Sequence, residues 1–177
     1  MARAEPKPPA GARPRRRRAA SAAPLGAPTI RPARRADLAQ VVAIDATVTG
    51  VEKEAYWHGL FRRYGTRGQG QRHFLVALVD GRVAGFVIGE VRDWEFGQPP
   101  CGWVFAIDVD PRVRQAGVGT RLLAAVSERF AAAGVRKLRT LLASDNTLIL
   151  SFFRSQGMMA GSLIPLEMDL PAEDVRP

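Results

Sequence analysis

The stretch from Trp103 to Leu123 constrains the fold of this chain more than any other part of the sequence. Its beginning, Gly102–Val109, is an almost continuous apolar run, which is typical of a strand that is covered on both faces of a sheet. Pro111 ends that strand, because proline cannot extend a hydrogen-bonded ladder from the interior. Gly117 and Gly119 then stand at the start of a predicted helix. A buried strand that leads through a glycine-rich turn into a helix predicts a mixed α/β domain.

The turn before this helix has the physical properties of an anion-binding site. The first amide groups of a helix have no partner within it, and the helix dipole adds partial positive charge there. Glycines let a phosphate approach the backbone closely, and Arg112, Arg114 and Arg121 add cationic charge. Glycine pairs also make tight turns for structural reasons alone. The succession of strand, turn and amphipathic helix favours a phosphate cradle over residues 112–121.

Two better-known glycine-rich phosphate loops do not fit this turn. A P-loop has Gly-Lys-Ser/Thr after its first glycine, and that tripeptide does not follow the glycines here. The dinucleotide-binding fingerprint of Rossmann folds needs a third glycine where this chain has Leu122. The cradle is therefore expected to belong to another kind of nucleotide site.

Two sequence blocks resemble the GNAT superfamily of acyl-CoA-dependent N-acyltransferases. Arg114-Gln-Ala-Gly-Val-Gly119 is similar to its Arg/Gln-x-x-Gly-x-Gly/Ala pyrophosphate loop. Asn146, Phe152-Phe153 and Gly157 resemble the asparagine, the aromatic helix and the glycine turn that follow later in that family. The resemblance covers roughly residues 28–170 and is strongest over residues 107–157. It implies a central, mostly antiparallel sheet of about six to seven strands with about four helices.

The resemblance also implies a function and a set of binding residues. The function is transfer of an acetyl group from acetyl-CoA to a primary amine, directly and in a ternary complex. The strand that ends at Val109 would pair with the pantetheine arm and polarise the thioester, while the turn holds the pyrophosphate. No metal is needed, and the sequence has no His/Cys cluster with ligand spacing. The cofactor-binding residues implied in this way are Ile107, Val109, Arg114, Gln115, Gly117, Val118, Gly119, Thr120, Asn146 and Phe153.

Three carboxylates are candidates for the catalytic base that takes the proton of the amine. Glu90 lies at the end of a predicted strand, Glu95 lies in the loop beyond it, and Asp108 lies inside the apolar strand. Each of them is also plausible as a surface or ion-paired carboxylate. We rank Glu90 and Glu95 slightly ahead of Asp108.

The general acid that the resemblance leads us to expect is missing. The family usually has a tyrosine seven residues after the asparagine, and this chain has Phe153 there. A phenyl ring cannot donate a proton, and general-acid help contributes roughly 10²–10⁴-fold. Either the thiolate leaves unaided or through water, or Tyr56 or Ser151 supplies the proton. The alternative function is a module that binds acyl-CoA without turning it over.

Charge and cysteine content predict the domain organisation. The net charge of +9 suggests nucleic-acid binding, but residues 1–27 carry seven of the 26 Lys and Arg residues and one of the 17 Asp and Glu residues. The remaining chain therefore carries only +3. We expect a disordered basic tail over residues 1–27, with non-specific nucleic-acid contacts at most, and one acetyltransferase domain over residues 28–177. Cys101 is the only cysteine, which suits a reducing cytoplasm.

The other predicted elements complete an α/β domain. Helical periodicity indicates helices over residues 37–47, 51–64 and 146–156, and strands are expected at 29–32, 136–142 and 163–170. Asp80-Gly81 predicts a hairpin between strands 72–79 and 82–91. No apolar run is long enough to cross a bilayer, so no membrane partner is expected. The expected partner is a small-molecule or peptide amine acceptor, and a homodimer is left open as an alternative to a monomer.

Overall fold

The computed structural model describes residues 26–65, 70–113 and 116–170, and these contain a five-stranded sheet in the order β1-β2-β3-β4-β5. Neighbouring strands from β1 to β4 are antiparallel, whereas β5 lies parallel to β4. The predicted mixed, mostly antiparallel sheet is confirmed, with five strands instead of six to seven. The strands are β1 (Thr29–Pro32), β2 (Arg72–Val79), β3 (Arg82–Arg92), β4 (Cys101–Val109) and β5 (Leu138–Arg139).

Four α-helices cover the two faces of this sheet: α1 (Leu38–Thr49), α2 (Glu54–Leu60), α3 (Val118–Ala132) and α4 (Thr147–Ser155). On one face, α1 and α2 bury Trp57 against Phe74 and Phe86. On the other face, α3 and α4 contribute Phe130 and Phe153 to a second cluster. Both faces are apolar because successive side chains of a strand point to opposite sides, and both sides are covered. None of the helices in the described ranges is long and apolar enough to span a bilayer.

The hairpin and the helix ends follow the sequence signals closely. Asp80 and Gly81 both have positive φ, at 49° and 78°, as a tight hairpin turn requires. The helix predicted over residues 51–64 begins later, at Glu54, and its last turn, Phe61–Gly65, is a π-helix. The prediction for residues 1–27 lies almost entirely outside the described residues.

One strand prediction is too long and another is wrong. The segment 136–142 contributes only the two residues of β5, because the chain leaves β4 directly afterwards. Residues 163–170 form no strand, and Ile164, Leu166 and Met168 are more than four-fifths exposed. Their alternating pattern is that of a strand, but a strand needs a neighbour to pair its backbone, and the described residues provide none there.

Asp37 fastens the first strand to the first helix. Arg31 donates two hydrogen bonds to its carboxylate, at 2.7 and 2.8 Å, and the backbone N–H of Arg34 donates a third at 2.6 Å. Burial alone would raise the pKa of Asp37, but the bonds from Arg31 and Arg34 outweigh it and hold that pKa below its ordinary value of 3.8. The ionised carboxylate therefore stabilises the folded state.

We predict that Asp37→Asn lowers the free energy of unfolding by about 1–3 kcal/mol at neutral pH, because Arg31 loses its charged partner. Since the folded pKa is depressed, this contribution is complete above the ordinary pKa of Asp and is lost as the pH falls through the folded value. Urea unfolding at pH 7 and at about pH 3 measures the difference from wild type, which should shrink at the lower pH. Asp80→Asn, in the exposed turn, is the matched control and should change little. A constant difference at both pH values would contradict the role of the charge.

Candidate active site

Strand β4 loses its second partner halfway along its length. β5 pairs with it only at Gly102–Leu138 and Trp103–Arg139, whereas β3 follows it to Val109. Beyond Arg139 the chain diverges, and a cavity of about 310 Å³ opens between residues 104–108 of β4 and residues 140–143. Every second amide of a strand points away from a given neighbour. The backbone groups on this side of β4 therefore face the cavity without a strand partner in the described part of the chain.

A β-bulge lies at the point where β4 separates from β5. Ile88 is opposite Ala106 and Gly89 is opposite Val104, so Phe105 is an extra residue in β4. A bulge bends its strand and redirects the side chains next to it. Phe105 is partly exposed and packs against the ring of Tyr64 with centroids 5.1 Å apart. The bulge therefore shapes the wall of the cavity.

The N-terminus of α3 lies beside the far end of β4. Gly117 precedes the helix with φ of +72°, and the first helical hydrogen bond runs from the N–H of Arg121 to the carbonyl of Gly117 at 3.0 Å. The amides of Val118, Gly119 and Thr120 have no acceptor within the helix. The space in front of Gly117 is open, since a Cβ atom added there would meet no atom within 4 Å. This exposed group of amides fits a phosphate.

Gly119, unlike Gly117, lies in close contact with neighbouring elements. A Cβ atom at Gly119 would lie 3.1 Å from the ring of Phe152 in α4 and 3.6 Å from Val109. The absence of a side chain therefore brings α3, α4 and the end of β4 together, so that the amide group and the cavity lie along one strand. Residues 117–120, which were predicted to bind phosphate, thus lie close to the predicted strand residues 107 and 109. Arg114 and Gln115 lie outside the described residues.

The cationic charge expected around the turn is smaller than the sequence indicates. Arg112 is paired with the carboxylate of Asp110, with a shortest distance of 2.6 Å, and its side chain is largely exposed. Arg121 donates to the carbonyl of Pro28 at 3.4 Å. The backbone amides therefore carry most of the anion-binding capacity that the described residues offer here.

Helix α4 supplies the wall of the cavity opposite β4. Asn146 precedes the helix, and its side-chain oxygen accepts a hydrogen bond from the N–H of Ile149 at 3.1 Å. Asn146, Ile149 and Phe153 all line the cavity, and Phe153 is buried. The predicted residues Asn146 and Phe153 are therefore brought to the same cavity as Ile107. Asn146 also caps α4, which is a structural role for the same side chain.

The other face of the sheet contributes a polar wall, of which sequence reasoning missed Asp45 and Lys53. Asp45 of α1 is buried, and its carboxylate accepts hydrogen bonds from Trp57 Nε1 at 2.9 Å and Lys53 Nζ at 3.0 Å. Asp45, Lys53, Tyr56 and Trp57 line the cavity together. A signal was present: Leu38, Val41, Val42 and residue 45 form one helical face, on which a carboxylate is out of place.

The three candidate bases do not lie together. Asp108 lines the cavity beside Ile107, whereas Glu90 and Glu95 line a separate cavity of about 560 Å³. The carboxylate of Glu90 accepts hydrogen bonds from the Tyr64 hydroxyl and from Arg92 Nε, each at 3.0 Å. Burial, and then the bond to Glu90, raise the pKa of Tyr64. Glu90 is thus part of a polar cluster next to the open strand and not inside it.

The two candidate replacements for the missing tyrosine also differ in position. The hydroxyl of Ser151 donates to the carbonyl of Thr147 in its own helix at 2.7 Å. Tyr56 is half exposed and lines the cavity. Of these two hydroxyls, only that of Tyr56 belongs to a residue of the cavity wall.

A strand with one side open, next to a helix N-terminus without a side-chain cap, has a shape that suits an extended, phosphate-bearing ligand. Residues 38–158 match the model of the acetyltransferase (GNAT) family, and the chain belongs to this family. The predicted family is thereby confirmed.

Several known proteins are similar to this chain. The L-2,4-diaminobutyric acid acetyltransferase of Nocardia farcinica is 35% identical over 88 residues, which are 50% of this chain and 44% of that protein. The chain therefore aligns with less than half the length of this relative. Among solved structures, aminoglycoside N-acetyltransferase AAC(6')-Iy in complex with CoA has a TM-score of 0.70 at 19% identity, over 80% of this chain and 94% of that chain. A transcriptional regulator from Bacillus halodurans C-125 has a TM-score of 0.69 at 19% identity, over 81% and 99%. These two likenesses confirm the fold.

We predict that Gly117→Ala weakens CoA binding, because its Cβ atom enters the space where the phosphate would approach. Gly134→Ala is the matched control: Gly134 follows the other end of α3 with φ of +83° and has equally open surroundings. Both variants should lose about 1–2 kcal/mol of stability, since alanine is strained at positive φ. Thermal unfolding with and without CoA separates them, because ligand at about 100 times its Kd adds about 2.7 kcal/mol. Equal stabilisation of the two variants by CoA would contradict the assignment of the cradle.

Proposed function

We propose that this protein transfers the acetyl group of acetyl-CoA directly to a primary amine in a ternary complex. The observation that carries this proposal is the single cavity that residues from both faces of the sheet line. Asn146 and Phe153 reach it from the side of α4, and Lys53 and Tyr56 reach it from the side of α2. The thioester and the amine can then be bound in the same cavity at the same time, one from each face of the sheet. Such positioning of two reactants is itself a large part of catalysis.

The backbone around the cavity matches the needs of a thioester substrate. Acetyl-CoA, when bound, supplies the acyl group and a thiolate leaving group. The amides of Val118, Gly119 and Thr120 would hold its phosphates, and the open side of β4 at Ile107 and Val109 would pair with its extended arm. An N–H group of that strand would donate to the carbonyl oxygen as negative charge develops on it.

Asp108 is the carboxylate that we now propose as the base. It is partly buried, it lines the cavity, and it lies opposite Phe86, whose side chain packs under α1 and α2. The two residues of one register pair point to the same face of the sheet, so Asp108 lies on the side from which the amine would enter. Its carboxylate would take the amine proton as the nitrogen attacks the acyl carbon. Glu90 and Glu95 stay as alternatives, since Glu90 accepts a hydrogen bond from Tyr64, which packs against Phe105 of β4.

The leaving thiolate has no tyrosine hydroxyl at position 153. We propose that Tyr56 or water protonates it, because Tyr56 is the tyrosine in the cavity wall. Loss of a general acid slows a reaction and does not prevent it. For the remaining aspects of the function, we propose the cytoplasm as compartment, where a free thiol such as that of Cys101 persists, and a small-molecule or peptide amine as acceptor.

We predict that Asp108→Asn lowers kcat by roughly 10²–10⁴-fold, because the amide cannot take a proton. Glu90→Gln and Glu95→Gln are the matched controls and should stay within a few fold of wild type. The rate of thiol release from acetyl-CoA in the presence of a panel of primary amines measures all four proteins. Loss of activity in Glu90→Gln but not in Asp108→Asn would move the base to the neighbouring cluster.

The same assay tests the alternative function. Stabilisation by CoA without thiol release in the presence of any amine would show a module that binds acyl-CoA and does not catalyse transfer. Phe153→Tyr is then informative, because it restores the hydroxyl in the buried wall of the cavity. Thiol release by Phe153→Tyr but not by wild type would show that wild type is inactive because it lacks this general acid.

A further inference from the structure

We infer that the acceptor amine carries a carboxylate, and that Lys53 is the residue that binds it. This inference rests on the proposed function, because it concerns the acceptor end of the same cavity. It identifies the acceptor by its chemistry: a primary amine with an acidic group, such as an amino acid with a second amine. Two features of the cavity wall support it: the charges of its side chains, and the greater exposure of Lys53 than of its partner Asp45.

Lys53 presents its ammonium group toward the cavity from a fixed position. Its Nζ atom lies 3.0 Å from Asp45 Oδ1 and 5.8 Å from the centre of the Tyr56 ring. About a third of the Lys53 side chain is exposed, whereas Asp45 is buried behind it. A lysine ammonium has three hydrogen-bond donors, and the bond to Asp45 uses one of them. The others remain for a ligand or water at the surface of the wall.

Asp45 is a positioning residue and not a ligand-binding one. One of its oxygens accepts from Lys53 and the other accepts from Trp57 Nε1. Trp57 is itself fixed, since its ring packs against Phe86 with centroids 4.8 Å apart. Apolar residues could fill this space without the desolvation penalty of a buried carboxylate, so stability alone does not explain the pair. The pair places a cation at a defined point of the cavity.

The charge balance of the cavity disfavours a polycationic acceptor. Among the described residues that line it, the acids are Asp45 and Asp108 and the base is Lys53. Asp45 is occupied by its two donors, and the exposed end of the ion pair is the cationic one. An acceptor with several ammonium groups would meet the exposed ammonium of Lys53 and be repelled there. An acceptor with one carboxylate and one reacting amine has a partner for its carboxylate at Lys53, while its amine faces the open strand.

The test compares acceptors that differ only in the acidic group. L-2,4-Diaminobutyrate, ornithine and lysine are each assayed against their carboxamides by thiol release from acetyl-CoA. Wild type should use at least one acid about tenfold or more better than its amide in kcat/KM, as expected for charge-assisted hydrogen bonds. Lys53→Met should bring that ratio close to one, and Lys53→Arg should keep most of it. Asp45→Asn should raise KM for the acid with a smaller effect on kcat.

Lys137→Met is the matched control, because Lys137 is exposed just before β5 and does not line the cavity. It should keep the wild-type ratio of acid to amide. If Lys53→Met does not fold, Lys53→Gln replaces it as the test of Lys53, and the ratio measured on wild type decides by itself whether the acceptor carries a carboxylate. Equal use of acids and amides by wild type overturns the inference and leaves the proposed function intact. No thiol release with any acceptor overturns both.

Discussion

The structure depends on one interruption in backbone pairing. β4 is held by β3 along its length, but β5 accompanies it for only two residues. Unpaired backbone groups in the middle of a sheet would normally be a serious loss of stability. Here they lie along a cavity, beside a helix whose first amides have no acceptor within the helix. In the function proposed above, an extended thioester substrate takes the place of the missing strand.

The glycine turn lies directly beside the end of the open strand. Gly119 allows α3 to approach Val109 and Phe152 closely, which places the amides of α3 at the end of the strand. On the opposite face, the rings of Trp57, Phe74 and Phe86 give α2 a rigid base. A co-substrate that enters along the strand would therefore meet an acceptor held against that base.

Much of this arrangement could be predicted from sequence, because it depends on local signals. The apolar run before Pro111, the turn at Asp80-Gly81 and the glycines at 117 and 119 define their elements through backbone conformation. The length of β5 could not be predicted in this way, since the sequence of residues 138–142 does not reveal where pairing stops. Residues 163–170 have the alternation of a strand, but alternation does not supply a partner. Asp108 and Glu90 both belong to apolar strands, and the sequence does not show that they line different cavities.

Hydrogen–deuterium exchange of the backbone, with and without CoA, tests the central claim most directly. The open side of β4 and the start of α3 should bind the co-substrate. We therefore expect slower exchange for peptides that cover residues 104–109 and 116–121 when CoA is added, with β2 unchanged as the internal reference. Protection of the α3 peptide alone would leave the phosphate cradle but remove the role of the open strand. No protection at either segment would contradict the account.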